Sequence, residues 1–166
     1  GDNKINTITF SLIRSLYPRF RYDDLKSHPA VVVYPYSIYS VNMLELYELN
    51  IPMLVPSPDV IIRNNIMNDR VLYPTYCTEK KYSNMKLNAL TDIPYSPNTY
   101  DYAAQKYWIK YSFMYQAKNT VIWESEEDLM NKLHYADLDR VRNAMFDENE
   151  QRRDVANHAW RTALGL

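Results

Sequence analysis

The stretch AVVVYPYSIYSVNMLELYELNIPMLVPSPD, residues 30–59, decides how this chain folds. Ala30-Val31-Val32-Val33-Tyr34 is an unbroken apolar, β-branched run, the pattern of a strand buried on both faces in a parallel sheet covered by helices. Pro35-Tyr36-Ser37-Ile38-Tyr39 reads as a loop, and Ser40 is placed to cap a helix carried by Val41, Leu44 and Glu45 to Leu49. Met43, Leu44 and Tyr47 give that helix an apolar face. It should stop at Asn50, since asparagine follows glycine in its tolerance of the left-handed conformation at a helix C-terminus. A positive φ is therefore expected there. Asn50→Gly should be neutral or stabilising, and a β-branched replacement should cost about 1 kcal/mol or more. Ile51-Pro52 leads into a second strand, Met53-Leu54-Val55, closed by Pro56-Ser57-Pro58. Strand, helix and strand within about 25 residues make a βαβ crossover.

Outward from this unit the pattern stays α/β. Ile8, Leu12, Ile13 and Leu16 repeat at helical spacing until Pro18, and Tyr22 to Ser27 fit one further helical turn before Pro29. Asp59 is placed to cap a helix from Val60 to Met67. Residues 68–102 show weak periodicity and scattered prolines, and read as a long irregular insertion. Helix returns from Tyr102 to Ala117, apolar on more than one side, and Val121-Ile122-Trp123 forms a third strand. Ser125 and Asp128 match a capping box, and helices over 126–135 and 138–164 close the chain, with Leu138, Val141 and Met145 on one face. The predicted fold is a single Rossmann-like α/β domain over residues 1–166. It has a few-stranded parallel sheet flanked by helices, the insertion, and a C-terminal helical segment.

Composition excludes several classes. A chain of 166 residues, 46% hydrophobic, buries enough surface to need no metal or disulfide staple. A net charge of -1 lacks the basic stripe that nucleic acid binding requires, even with sixteen tyrosines to offer as stacking surfaces. The sequence opens on no signal-peptide pattern, as a mature secretory domain would too, and no apolar run approaches the ~18 residues of a membrane span. Only Gly1 and Gly165 are glycines, where about twelve are usual. Neither the dinucleotide fingerprint nor the P-loop is therefore present. The single Cys77 and three scattered histidines make no zinc pattern, and no cofactor is expected. The single cysteine leans towards a reducing compartment such as the cytoplasm, and no Asn-x-Ser/Thr sequon argues for a lumenal one.

The 31–57 stretch resembles the C-terminal, donor-binding half of glycosyltransferases with the GT-B fold. In that family a buried strand ends in a Pro-Ser-like loop. A short helix carrying a Glu follows, then a Gly-x-Pro turn and a second strand. Glu45 falls on the helix Glu, Pro52 on the turn proline, and Asn50 stands where the family has glycine. Ser37 stands where the family carries a further Glu. The tail, Val121 to Trp160, is similar to the family's closing strand, Ser-Glu-Glu-Asp-Leu helix start and long final helix. The resemblance covers residues 28–60 and 119–164. It implies metal-free binding of a nucleotide-sugar donor, with Glu45 on the ribose diol. It also implies an N-terminal partner domain in the same protein, holding the acceptor, without which this chain should not turn over.

The residues agree with that reading at one point. Ligands of open α/β sheets bind beyond the carboxyl ends of the strands. The loop before Val41 lies there and leads into a helix N-terminus, whose N–H groups and dipole suit a diphosphate. Ser37 and Ser40 add hydroxyls, and Tyr36 and Tyr39 offer rings. Each has a plainer role: Ser40 as an N-cap, Tyr36 and Tyr39 as packing, Glu45 and Glu48 as solvated helix residues. His28 reads as a packing residue, Asp23-Asp24 as a helix start, and Arg140, Arg142, Arg152 and Arg153 as a solvated face. The competing function is a non-enzymatic protein-interaction module on the same α/β frame.

Overall fold

The computed structural model describes residues 8–34, 41–68 and 102–166. Its elements are α1 (Ile13–Leu16), α2 (Tyr22–Lys26), β1 (Val31–Val32), α3 (Val41–Glu48), β2 (Met53–Pro56) and α4 (Pro58–Asn68), then α5 (Tyr102–Ile109), α6 (Phe113–Gln116), β3 (Val121–Trp123), α7 (Glu126–Tyr135) and α8 (Leu138–Leu164). The three strands form one parallel sheet in the order β1-β2-β3, with Val31 opposite Met53 and Leu54 opposite Val121. The expected insertion lies outside the described residues except at its ends, Asn68 closing α4 and Tyr102 opening α5.

The central strand explains the core. Met53, Leu54 and Val55 are fully buried, and their period-2 alternation sends them to opposite faces. Met53 and Val55 join Val31, Met43, Leu46, Tyr47, Met114 and Met145 on one side. Leu54 meets Val60 and Trp123 on the other, with Val32, Leu129 and Leu133 against them. The run at 30–34, by contrast, is not buried on both faces. Only Val31 and Val32 enter the ladder, Val32 is half-buried, and Tyr34 is exposed, because β1 is an edge of the sheet among the described residues.

The helix expected from Ile8 onward forms only over Ile13–Leu16, since Leu12 is extended, and three further details differ from expectation for physical reasons. Helix α4 starts at Pro58, not Val60: proline suits the first helical position, and Ser57 Oγ accepts the Val60 N–H at 3.4 Å. Asp59 therefore sits in the first turn, freed from capping. The span 102–117 breaks into α5 and α6 at Ser112, whose ψ of 151° is extended. One continuous helix would hold Ile109 and Met114, five positions apart, on different faces; the break lets both be buried. At α7 Ser125 Oγ accepts the Asp128 N–H at 3.1 Å as expected, but the Asp128 carboxylate takes the Glu124 N–H, one residue before the cap.

Asn50 has φ 57°, in the left-handed region. The Asn50 N–H bonds Tyr47 O at 2.9 Å and the Ile51 N–H bonds Leu46 O at 3.1 Å, a Schellman closure sealed by buried Leu46 and Ile51. The side chain is used as well. Asn149 of α8, fully buried, donates from Nδ2 to Tyr47 O at 2.8 Å and to Asn50 Oδ1 at 2.7 Å. Asn50→Gly would lose that acceptor, which narrows the expected change to near neutral. Glu48 and Arg152 are not simply solvated either: they pair at 3.1 Å, and the Arg152 guanidinium lies 5.7 Å from the centre of the Tyr47 ring. Arg142 donates to His28 O at 3.2 Å, fastening α8 to the chain ahead of β1.

Candidate functional site

All three strands point the same way, so their carboxyl ends make one edge of the domain. Tyr34 follows β1 there, Ser57 follows β2, and Trp123 ends β3. The Tyr34 and Trp123 rings lie 6.4 Å apart, and Tyr34 Oη accepts a hydrogen bond from Asn64 Nδ2 of α4. The Trp123 indole N–H is buried without a hydrogen-bond partner among the described residues.

A cavity of about 220 Å³ opens beside β1, between α2 and the first turn of α3. Tyr22, Val33, Tyr34, Asn42 and Met43 are among its walls. Apolar side chains dominate, with two phenols and one amide as the polar groups. The volume is below the ~300–1,000 Å³ usual for a drug-sized ligand, so it suits one part of a nucleotide rather than the whole.

Of the five residues singled out in the sequence, Glu45 lies within the described residues. Ser37, Ser40, Tyr36 and Tyr39 lie outside them. Glu45 is half-buried on α3 and accepts a hydrogen bond from Tyr22 Oη, and Tyr22 in turn lines the cavity. That bond, with burial and the carboxylate charge adding to it, pushes the Tyr22 phenol above its ordinary range. A carboxylate has about four acceptor positions, so one phenol leaves capacity for a diol. Sequence reasoning missed Tyr22 and Asn42. The Tyr22–Glu45 contact spans 23 positions, and nothing in local periodicity signals it.

A second polar group at this edge was also missed. Asp59 accepts from Tyr102 Oη at 2.5 Å and pairs with Lys106 Nζ at 2.9 Å, tying α4 to α5. The Tyr102 bond, then Lys106, holds the Asp59 carboxyl below its ordinary range. His28 sits away from this edge, edge-on to Tyr17 with the Tyr17 hydroxyl 3.0 Å from its Nε2, which fits a packing role. Among the described residues no group of three or more His, Cys, Asp or Glu is arranged to hold a metal, and no helix is long and apolar enough to cross a membrane. Compared with protein-family models, with curated proteins and with solved structures, the chain matches none.

Proposed function

We propose that this chain is the nucleotide-sugar-binding domain of a glycosyltransferase, taking a nucleoside diphosphate sugar at the carboxyl end of β1. The observation that carries this reading is the cavity beside β1 and the first turn of α3, with Glu45 tied to its wall through Tyr22. The parallel sheet and the left-handed Asn50 between α3 and β2 support it as well. Glu45 would accept the ribose hydroxyls. The α3 N-terminus, with Ser37 and Ser40 just ahead of it in sequence, would face the diphosphate, and Tyr36 and Tyr39 would flank the base. As the sugar leaves, charge gathers on the diphosphate, and a helix dipole with hydroxyl donors stabilises it without a metal. The acceptor and the base that activates it would come from another domain of the same protein. The chain alone binds and does not turn over.

The second reading, a protein-interaction module, is favoured by one observation. Val155, Trp160 and Leu164 stand exposed on the last turns of α8. The test is a titration of the folded chain with UDP, GDP and their sugars, followed by melting temperature. A saturable rise that Glu45→Gln weakens is the expected result. No rise at millimolar concentration, with the chain shown to be folded, transfers support to the interaction module.

A further inference from the structure

The two edges of the sheet are treated differently. On β1, the N–H groups of Val31 and Val33 bond Pro52 O at 2.8 Å and Leu54 O at 2.9 Å. The alternation of a parallel ladder therefore turns the N–H and C=O of Val32 outward, and no described residue pairs with them. On β3 the outward carbonyl, that of Ile122, is covered: Lys132 Nζ donates to it at 2.5 Å. A lysine over an edge strand is a common way to block further pairing. Among the described residues nothing covers the β1 edge in this way, and it lies instead in an apolar groove. A cavity of about 380 Å³ adjoins this edge, with Val31, Val32 and Leu133 among its lining.

The chain's own segment Ile8–Leu12 lines the same cavity. Its sequence, Ile8-Thr9-Phe10-Ser11-Leu12, alternates apolar and polar with a period of two, the pattern of a strand with one buried face. No described strand pairs with it, its last residue precedes α1 and is extended at φ −71° and ψ 128°, and Phe10 and Leu12 are 55% and 77% exposed. The connection also fits. Eighteen residues separate Leu12 from Val31, a dozen or more being needed for a parallel crossover. They carry α1 and α2, and their Ile13, Tyr17, Tyr22 and Leu25 pack on one face of the sheet.

We infer that Ile8–Leu12 is a strap that docks on the free edge of Val32 as a fourth, parallel strand, extending the sheet and closing the groove. Docking pairs the outward Val32 groups and takes Phe10 and Leu12 out of water. Undocked, as described here, the same edge and groove stay open to an extended segment of another chain. The strap thus governs whether this edge is available for β-augmentation.

Hydrogen exchange on the whole chain tests this. Val32 and Ile122 each present an outward amide at a sheet edge. With intrinsic rates removed, Val32 should exchange at least about tenfold more slowly than Ile122, the mark of a local opening that must precede exchange. In the double variant Phe10→Asp, Leu12→Asp the Val32 protection should fall by about tenfold, while Val31 and Val33, bonded to β2, keep theirs. Equal rates at Val32 and Ile122 in the unaltered chain would overturn the inference, whatever the variant does. So would Val32 protection that survives the double substitution, or that grows with protein concentration and so assigns the edge to a second copy.

Discussion

Removing the Asn149 side chain is the sharpest probe of how α3 is held at the angle that sets the cavity. In Asn149→Ala, Tyr47 O and Asn50 Oδ1 lose their shared donor, and Arg152 Nη1 loses the Asn149 oxygen 3.2 Å away. Tyr47 O still accepts the Asn50 N–H, and Asn50 is half-buried, so neither acceptor is stranded in apolar surroundings. Two neutral hydrogen bonds at ~0.5–1.5 kcal/mol each put the cost at about 1–3 kcal/mol, and the small void and the lost Arg152 contact place it towards the upper end. Urea denaturation should show a lower midpoint with an unchanged slope. The pairing with Asn50 gives a stricter test. Asn50→Gly relieves a left-handed non-glycine residue and loses one hydrogen bond, so in the parent chain it should lie within ~0.5 kcal/mol of neutral. In the Asn149→Ala background the bond is already gone, and the same change should stabilise by about 0.5–1 kcal/mol. Strict additivity of the two substitutions would refute the reasoning.

Other consequences follow from single contacts. Ser57→Ala removes the cap of α4 and should cost about 0.5–1 kcal/mol in denaturant midpoint, the long 3.4 Å bond placing it at the low end. Burial, with the Asp59 charge adding, holds the Tyr115 phenol far above its ordinary range, and its hydroxyl donates to Pro56 O at 2.6 Å. Because the folded state favours the protonated phenol, this contribution is complete below the ordinary tyrosine pKa of about 10 and is lost as pH rises beyond it. Melting temperature measured from pH 8 upward should fall less steeply in Tyr115→Phe than in the parent; identical slopes would show that Tyr115 does not contribute. Glu45→Gln should weaken a nucleoside diphosphate by about 1–3 kcal/mol in a calorimetric titration, as expected when hydrogen bonds to a charged group are lost, while an unchanged affinity would remove Glu45 from the site.

Much of the fold was legible because its signals are local. Three β-branched runs separated by helical periodicity gave a parallel sheet, and Asn50 ahead of Ile51-Pro52 marked a left-handed helix end. The edge position of β1 was not legible, since an apolar run reads the same whether a strand has one neighbour or two. The spacing Leu138, Val141, Met145 continues to Asn149, so a polar residue at a core position was in view as a clue to the α3 closure. The break at Ser112 depends on Ile109 and Met114 both reaching the core, a tertiary demand that overrides helix propensity. At the candidate site Glu45 could be picked from the sequence, whereas Tyr22, Asn42 and the Asp59–Tyr102–Lys106 cluster come together only through packing between distant elements.

Amide chemical shifts read directly where a nucleotide binds. The folded, isotope-labelled chain is titrated with UDP and with GDP, and resonances are followed residue by residue. Saturable shifts gathered at Val33, Tyr34, Asn42 and Met43, around the cavity beside β1, are the expected result. No shift at millimolar nucleotide, or shifts confined to the exposed end of α8 around Val155 and Trp160, would contradict the account.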